Sequence, residues 1–352
     1  MSRILRSRVI WPIAALLALV VLNTISRPTF LSITVRNGEL YGSLIDILRN
    51  SAPLMLVALG MCLVIATRGI DLSVGAQMAI SGAVSLTIIA DSPAPNSMGT
   101  VAIAILAGVA LTLVLGLWNG FLVSVIGIQP IIATLVLMLA GRGIALLITG
   151  GFITTITSTP YAVMARGYVV GFPFAFLVSA SAVAIVSLLV RRTALGVLTE
   201  AVGINPAASR LAGVRSRGIV WSLYGLSGLL AGVAGILYSS NIMAADANNA
   251  GINIELDAIL AVVLGGTSLA GGKFTLAGTV VGVFIIQTLT STITFLGVPP
   301  SVTPVFKAIV VIIVCLSQSD RVRSGLRRLR PPKPLAIATA IDSTSSTSGS
   351  AA

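Results

Sequence analysis

The chain has 352 residues, of which 56% are hydrophobic and 9% charged, with a mean hydropathy of +1.05 and a formal net charge of +12. Soluble domains carry about 25% charged residues, so this composition excludes an ordinary water-soluble enzyme and a disordered polypeptide. The cations stand in short clusters at the ends of apolar runs rather than in one patch, which argues against a nucleic-acid partner.

Arg3, Arg6 and Arg8 precede the apolar run Val9 to Ile25. No small-residue cleavage site follows, so the run predicts an uncleaved first helix. Further spans are predicted at 46–67, 71–90, 100–126, 130–149, 171–190, 219–241, 257–271, 276–296 and 303–318. Fifty consecutive residues between Asp91 and Arg142 carry no charge. Continuous apolar runs, rather than alternating ones, predict helices and not a barrel. The expected fold is therefore an all-α polytopic membrane protein with about ten transmembrane helices. Turn chemistry marks the breaks at Asp91–Asn96, Gly127–Pro130 and Gly297–Pro300. The stretch 257–271 is short and glycine-rich, and reads as either a full span or a broken, re-entrant helix.

With the N-terminus inside, ten spans place sixteen Lys/Arg on the cytoplasmic side and four (Arg27, Arg36, Arg49 and Arg166) on the other. That asymmetry predicts a cytoplasmic location for both termini. Residues 1–320 are read as one transmembrane domain. Residues 321–352, basic and then Ser/Thr/Ala-rich, are read as a disordered cytoplasmic tail.

The longest polar segment between spans is 191–218. Within it Asn205 to Gly213 reads as a complete short helix. Asn205 can cap the free N–H groups, Pro206 suits the first position, and Gly213 suits a left-handed residue past the end. Ala207, Ala208, Leu211 and Ala212 give it an apolar face, so it is expected either to dock a soluble partner or to lie on the membrane surface.

Histidine is absent, and Cys62 and Cys315 sit inside apolar runs as small hydrophobes, so no catalytic triad, metal site or cofactor is expected. The segment Gly271-Gly272-Lys273-Phe274 fails as a phosphate loop, because Thr267 and Phe274 occupy places that need glycine and Ser/Thr. The glycines of 225–235 are expected to serve close helix packing. Polar residues inside spans are candidates for a pathway. They are Asn119, Arg142, Gln287 and Lys307, with Asp71 and Asp257 at span starts. Asp71 and Asp257 can equally face a helix N-terminus, and Arg142 and Lys307 are expected to pair with a backbone end or a distant acid.

The segment Glu200-Ala201-Val202-Gly203-Ile204-Asn205-Pro206-Ala207-Ala208-Ser209-Arg210-Leu211-Ala212-Gly213 resembles the coupling loop of ribose-type sugar permeases of ABC importers. Ala66 to Gly75 and Glu255 to Gly272 agree, and the resemblance runs from about residue 40 to 318. The narrower match, carried by Tyr41–Leu48 and Ala244–Gly251, is to the galactofuranose-type permeases. Arg68 stands where that family commonly has a second glycine.

The resemblance implies an inner-membrane transport subunit, not an enzyme, that moves a neutral monosaccharide. Galactofuranose is favoured over ribose. It implies coupling to a separate ATPase subunit through Glu200, Gly203, Asn205, Pro206, Ala207, Ala208, Arg210 and Gly213. The other implied partners are an extracytoplasmic sugar-binding protein, a second permease chain and membrane lipids. Pathway or gate candidates are Asp71, Ser73, Asn119, Asp246, Asn248, Asn249 and Gln287. A secondary transporter is the rival reading. An enzyme acting on lipid-linked substrates is disfavoured, because Glu255 and Asp257 are the only close acid pair among the candidates.

Overall fold

The computed structural model describes residues 10–36, 38–299 and 302–318. Arg3, Arg6, Arg8 and the tail 321–352 lie outside the described residues. The helices are α1 (Ile10–Ser26), α2 (Ser43–Ala66), α3 (Val74–Ala90), α4 (Met98–Phe121), α5 (Pro130–Ile148), α6 (Thr159–Arg166) and α7 (Phe174–Arg192). They continue with α8 (Leu195–Ile204), α9 (Pro206–Leu211), α10 (Ser216–Ile242), α11 (Ile254–Leu264), α12 (Leu276–Phe295) and α13 (Thr303–Gln318). A π-turn, Leu122–Ile126, prolongs α4. Among the described residues, three short antiparallel pairs tie the loops: Thr34–Arg36 with Glu39–Tyr41, Thr154–Thr155 with Ala244–Ala245, and Tyr168–Val169 with Phe172–Pro173.

The architecture is all-α, as the composition requires. Among the described residues, six helices, α2, α4 with its π-turn, α5, α7, α10 and α12, are long and apolar enough to cross a membrane. Helices α1 and α3, with 17 residues each, and α13, with 16, are slightly shorter.

Of the two readings of 257–271, the broken helix is the one the structure gives. Helix α11 has only 11 residues, about 16 Å at 1.5 Å per residue, roughly half of a bilayer core. It nevertheless completes a crossing. Ala244–Ala245, just past α10, pairs with the strand that follows α5. The Gly272 N–H bonds Ala66 O at the opposite end, 2.8 Å away. Irregular backbone therefore fills one half of the crossing and helix the other. Such backbone is tolerated at membrane depth only where protein surrounds it.

Helix α2 forms the centre, with every side chain from Leu54 to Ala66 buried. Helices α7, α10, α11 and α12 pack around it, and α3 and α4 flank α10. The glycine run 225–235 lets the backbones approach. A Cβ at Gly228 would come 2.8 Å from Gly116 Cα, and one at Gly235 would come 2.9 Å from Met78 Cα. Between apolar helices in lipid, close contact of this kind supplies the dispersion energy that water would otherwise drive.

Candidate functional site

Two features stand apart from ordinary packing: a helix pair at one end of the bundle and a polar cluster inside it.

At the end shared by 66–73, 192–217 and 265–275, α8 and α9 form a helical hairpin. The sequence reading anticipated α9 but not α8, whose uncapped Leu195–Ile204 run lacks a start signal. Asn205 ends α8 and caps α9: its Oδ1 accepts from Ala207 N at 3.1 Å and Ala208 N at 3.0 Å. Pro206 opens α9, and Gly213 takes φ +84° just past its end. Leu211 is 92% exposed, so α9 offers apolar surface outward. Glu200 lines a groove of about 340 Å³ with Arg191, Phe274 and Ala277. Arg210 and Pro206 line a second cavity of about 180 Å³ above Thr67 and Gly69. Gly203 is buried against Ala66 and Gly272, where a Cβ would meet backbone.

Inside the bundle, Asp71 is fully buried. Its carboxylate accepts from Ser73 N at 3.1 Å, Ser73 Oγ at 2.6 Å and Ser227 Oγ of α10 at 2.9 Å. Ser73 Oγ in turn accepts from Gln77 Nε2 at 2.7 Å and Asn119 Nδ2 of α4 at 2.9 Å. One polar cluster thus joins the start of α3 to α4 and α10. It unites three of the candidates, Asp71, Ser73 and Asn119. Sequence reasoning missed Gln77 and Ser227. Gln77 falls one turn after Ser73, a helical spacing that could have found it; nothing local marks Ser227. Gln77 Oε1 and Asn119 Oδ1 remain buried without a hydrogen-bond partner.

The other candidates lie elsewhere. Asp246 Oδ1 accepts from Asn248 N and Asn249 N, both at 3.1 Å, and Oδ2 from Asn249 Nδ2 at 2.7 Å. This is a self-contained turn in the irregular half-crossing. Arg142 grips the same turn from α5 through Ala247 O at 2.9 Å and Ala250 O. Gln287 is half-buried on α12, away from the cluster. Lys307 pairs with Asp257 at 2.6 Å, joining α13 to α11. A cavity of about 850 Å³ opens beside that pair, lined by apolar side chains with Asn253, Thr290, Thr294 and Thr303 among them. Among the described residues, no cluster of acidic, cysteine or histidine side chains could hold a metal.

Helices long and apolar enough to cross a membrane, a sealed polar cluster and a helix pair projecting from one end describe a polytopic membrane protein. The chain belongs to the family described as branched-chain amino acid transport system / permease component, which matches residues 43–315. It is 46% identical over 325 residues to the galactofuranose transporter permease protein YtfT of Escherichia coli, covering 91% of this chain and 94% of that one. It is 42% identical to the fructose import permease protein FruF of Bifidobacterium longum, covering 96% of each chain. To the ribose import permease protein RbsC of Bacillus subtilis it is 37% identical, over 89% of this chain and 93% of the relative. No solved structure matches the chain.

Proposed function

We propose that this chain is the membrane permease subunit of an ATP-binding-cassette importer for a neutral monosaccharide, with galactofuranose favoured over fructose and ribose. The observation that carries the reading is the capped α9 on an exposed hairpin, in a chain whose relatives are named sugar permeases. ATP is hydrolysed by a separate subunit that docks on α9. An extracytoplasmic binding protein delivers sugar at the opposite end, and a second permease chain completes the pore.

The charge distribution supports this orientation. Arg68, Arg191, Arg192, Arg210, Arg215, Arg217 and Lys273 gather at the α9 end, which the positive-inside rule makes cytoplasmic. The cavity beside Lys307 supports a route for a neutral solute. Its hydroxyl and amide groups suit weak transit contacts, and its two charges are bound to each other.

The test is uptake of labelled galactose, fructose and ribose into proteoliposomes holding the permease with its ATPase, each sugar supplied with binding protein. ATP-dependent import of a galactose species is expected to exceed that of ribose. Import that proceeds without ATP would sink the reading in favour of a secondary transporter.

A further inference from the structure

We propose that Arg68 is a positioning residue that carries movement of the α8–α9 hairpin to the buried Asp71 cluster. The inference rests on the reading of α9 as the ATPase dock and adds the link by which docking reaches the helix core.

The first observation is conformational. Arg68 has φ +65°, the left-handed region where a side chain is strained and glycine is not. A residue with a Cβ persists there when its side chain offsets that strain. Here the guanidinium supplies two bonds: Nε donates to Gly203 O at 2.6 Å and Nη2 donates to Ile204 O. Both carbonyls belong to the last turn of α8, where backbone acceptors lack helical partners and a cation is favoured. The next residue, Asn205, is the hinge shared by α8 and α9. Arg68 therefore grips the hairpin at its pivot.

The second observation is what Arg68 is attached to. Its N–H bonds Ile65 O at 2.9 Å, and Gly69 N–H bonds Val64 O at 3.0 Å, fixing the turn to the end of α2. Two residues on, Ile70 O accepts from Tyr224 Oη of α10 at 3.3 Å. Three residues on, Asp71 takes the Ser227 hydroxyl of α10. From the α8–α9 pivot to α10 the path is thus one side chain and four consecutive backbone residues. No long flexible element interrupts it.

The third observation is the gap beside this path. The cavity of about 180 Å³ separates Pro206 and Arg210 from Thr67 and Gly69. Helix α9 is therefore not wedged onto the turn and has space to move, while the guanidinium holds the end of α8. A push on α9 reaches the 67–71 turn through Arg68 together with the packed end of α8.

The experiment uses the whole transporter in proteoliposomes, and reads sugar imported per ATP hydrolysed for the parent chain, Arg68→Gly and Arg68→Lys. Glycine keeps the left-handed turn and removes the grip together with the side-chain stem that lies against Gly271. Its melting temperature and ATPase co-purification are expected to match the parent, while sugar per ATP falls about tenfold, equivalent to about 1.4 kcal/mol. Lysine offers a point charge instead of a planar fork, so it restores part of the ratio. A residue with a merely structural role would leave the ratio unchanged in Arg68→Gly, and that result overturns the proposal. Loss of ATPase co-purification in Arg68→Gly also overturns it, because Arg68 would then touch the partner directly. A parent chain that neither retains an ATPase nor imports sugar with ATP overturns the permease reading itself, a failure distinct from a silent Arg68→Gly.

Discussion

Unfolding α9 alone is the sharpest test of its role. The perturbation is Asn205→Ala together with Gly213→Val. Asn205 Oδ1 holds two N–H groups of the first turn, and losing such a cap costs about 1 kcal/mol. Gly213 has φ +84° and open space around its missing Cβ. Valine there meets no clash and costs only the left-handed backbone, about 1–2 kcal/mol. Together these shift the balance between formed and frayed α9 by about 2–3 kcal/mol, roughly 30- to 150-fold. A helix of six residues has no stability of its own to absorb that loss. The transmembrane core is untouched, so expression, membrane insertion and thermal melting should stay at parent values. The assay is ATPase activity in proteoliposomes with and without sugar-loaded binding protein. Stimulation should fall, and uptake with it. Unchanged stimulation with normal uptake would show that 205–213 is a passive connector lying on the membrane surface.

Further outcomes follow from packing and topology. Gly228→Ala places a Cβ 2.7 Å from Gln77 Oε1 and 2.8 Å from Gly116 Cα; it should destabilise the detergent-purified chain by about 1–3 kcal/mol. Gly143→Ala, with nothing within 4 Å, should leave melting unchanged. Lys307→Met strands Asp257, whose side chain is 23% exposed, and should lower stability by about 1–2 kcal/mol. Adding Asp257→Leu should recover most of that loss in the same melting assay. In a background lacking Cys62 and Cys315, single cysteines at Ser97 and Thr159, both exposed at the end opposite α9, should react with an impermeant thiol reagent from outside intact cells. A cysteine at Ala250, 7% exposed beneath the Arg142 grip, should resist it.

The spans were legible because lipid imposes one rule on every crossing, an apolar run of sufficient length. Helix α10 at Ser216–Ile242 and α4 with its π-turn at Met98–Ile126 fall where hydropathy and turn residues put them. The 257–271 stretch defeated that rule because its apolar residues continue past Leu264 into the Gly265–Gly266 turn, where composition stays hydrophobic while helix ends. Helix α9 was legible through its cap chemistry, whereas α8 begins at Leu195 after Ala194, an N-cap residue with no side chain that can cap. The cluster around Asp71 was half legible. Asp71, Ser73 and Asn119 announced themselves as polar atoms in apolar surroundings, but their meeting depends on the register of α3, α4 and α10. That register is set by glycine contacts such as Gly116 with Gly228, and pairings across more than a hundred residues leave no local trace.

Polar residues within a membrane domain are ordinarily taken as marks of a transport path, and the interrupted crossings give several of them another origin. A helix that stops inside the bilayer exposes backbone groups that lipid cannot satisfy. Asp71 accepts the Ser73 N–H immediately before α3. Arg142 takes two carbonyls of the irregular 243–253 segment. Asp246 caps the amides of the turn in that same segment. Each of these charges closes a vacancy created by broken helix geometry, and their positions follow from where the backbone leaves its ladder. Among the described residues, the polar groups with no such duty include the side chains of Asn253, Thr290, Thr294 and Thr303 in the cavity beside α13, and the amide oxygens of Gln77 and Asn119. The two oxygens are sealed by packing within the chain, so they cannot touch a passing solute in this conformation. The hydroxyls and amide of the cavity can. A neutral solute that needs only weak, uncharged contacts would meet them without having to break the Lys307–Asp257 pair.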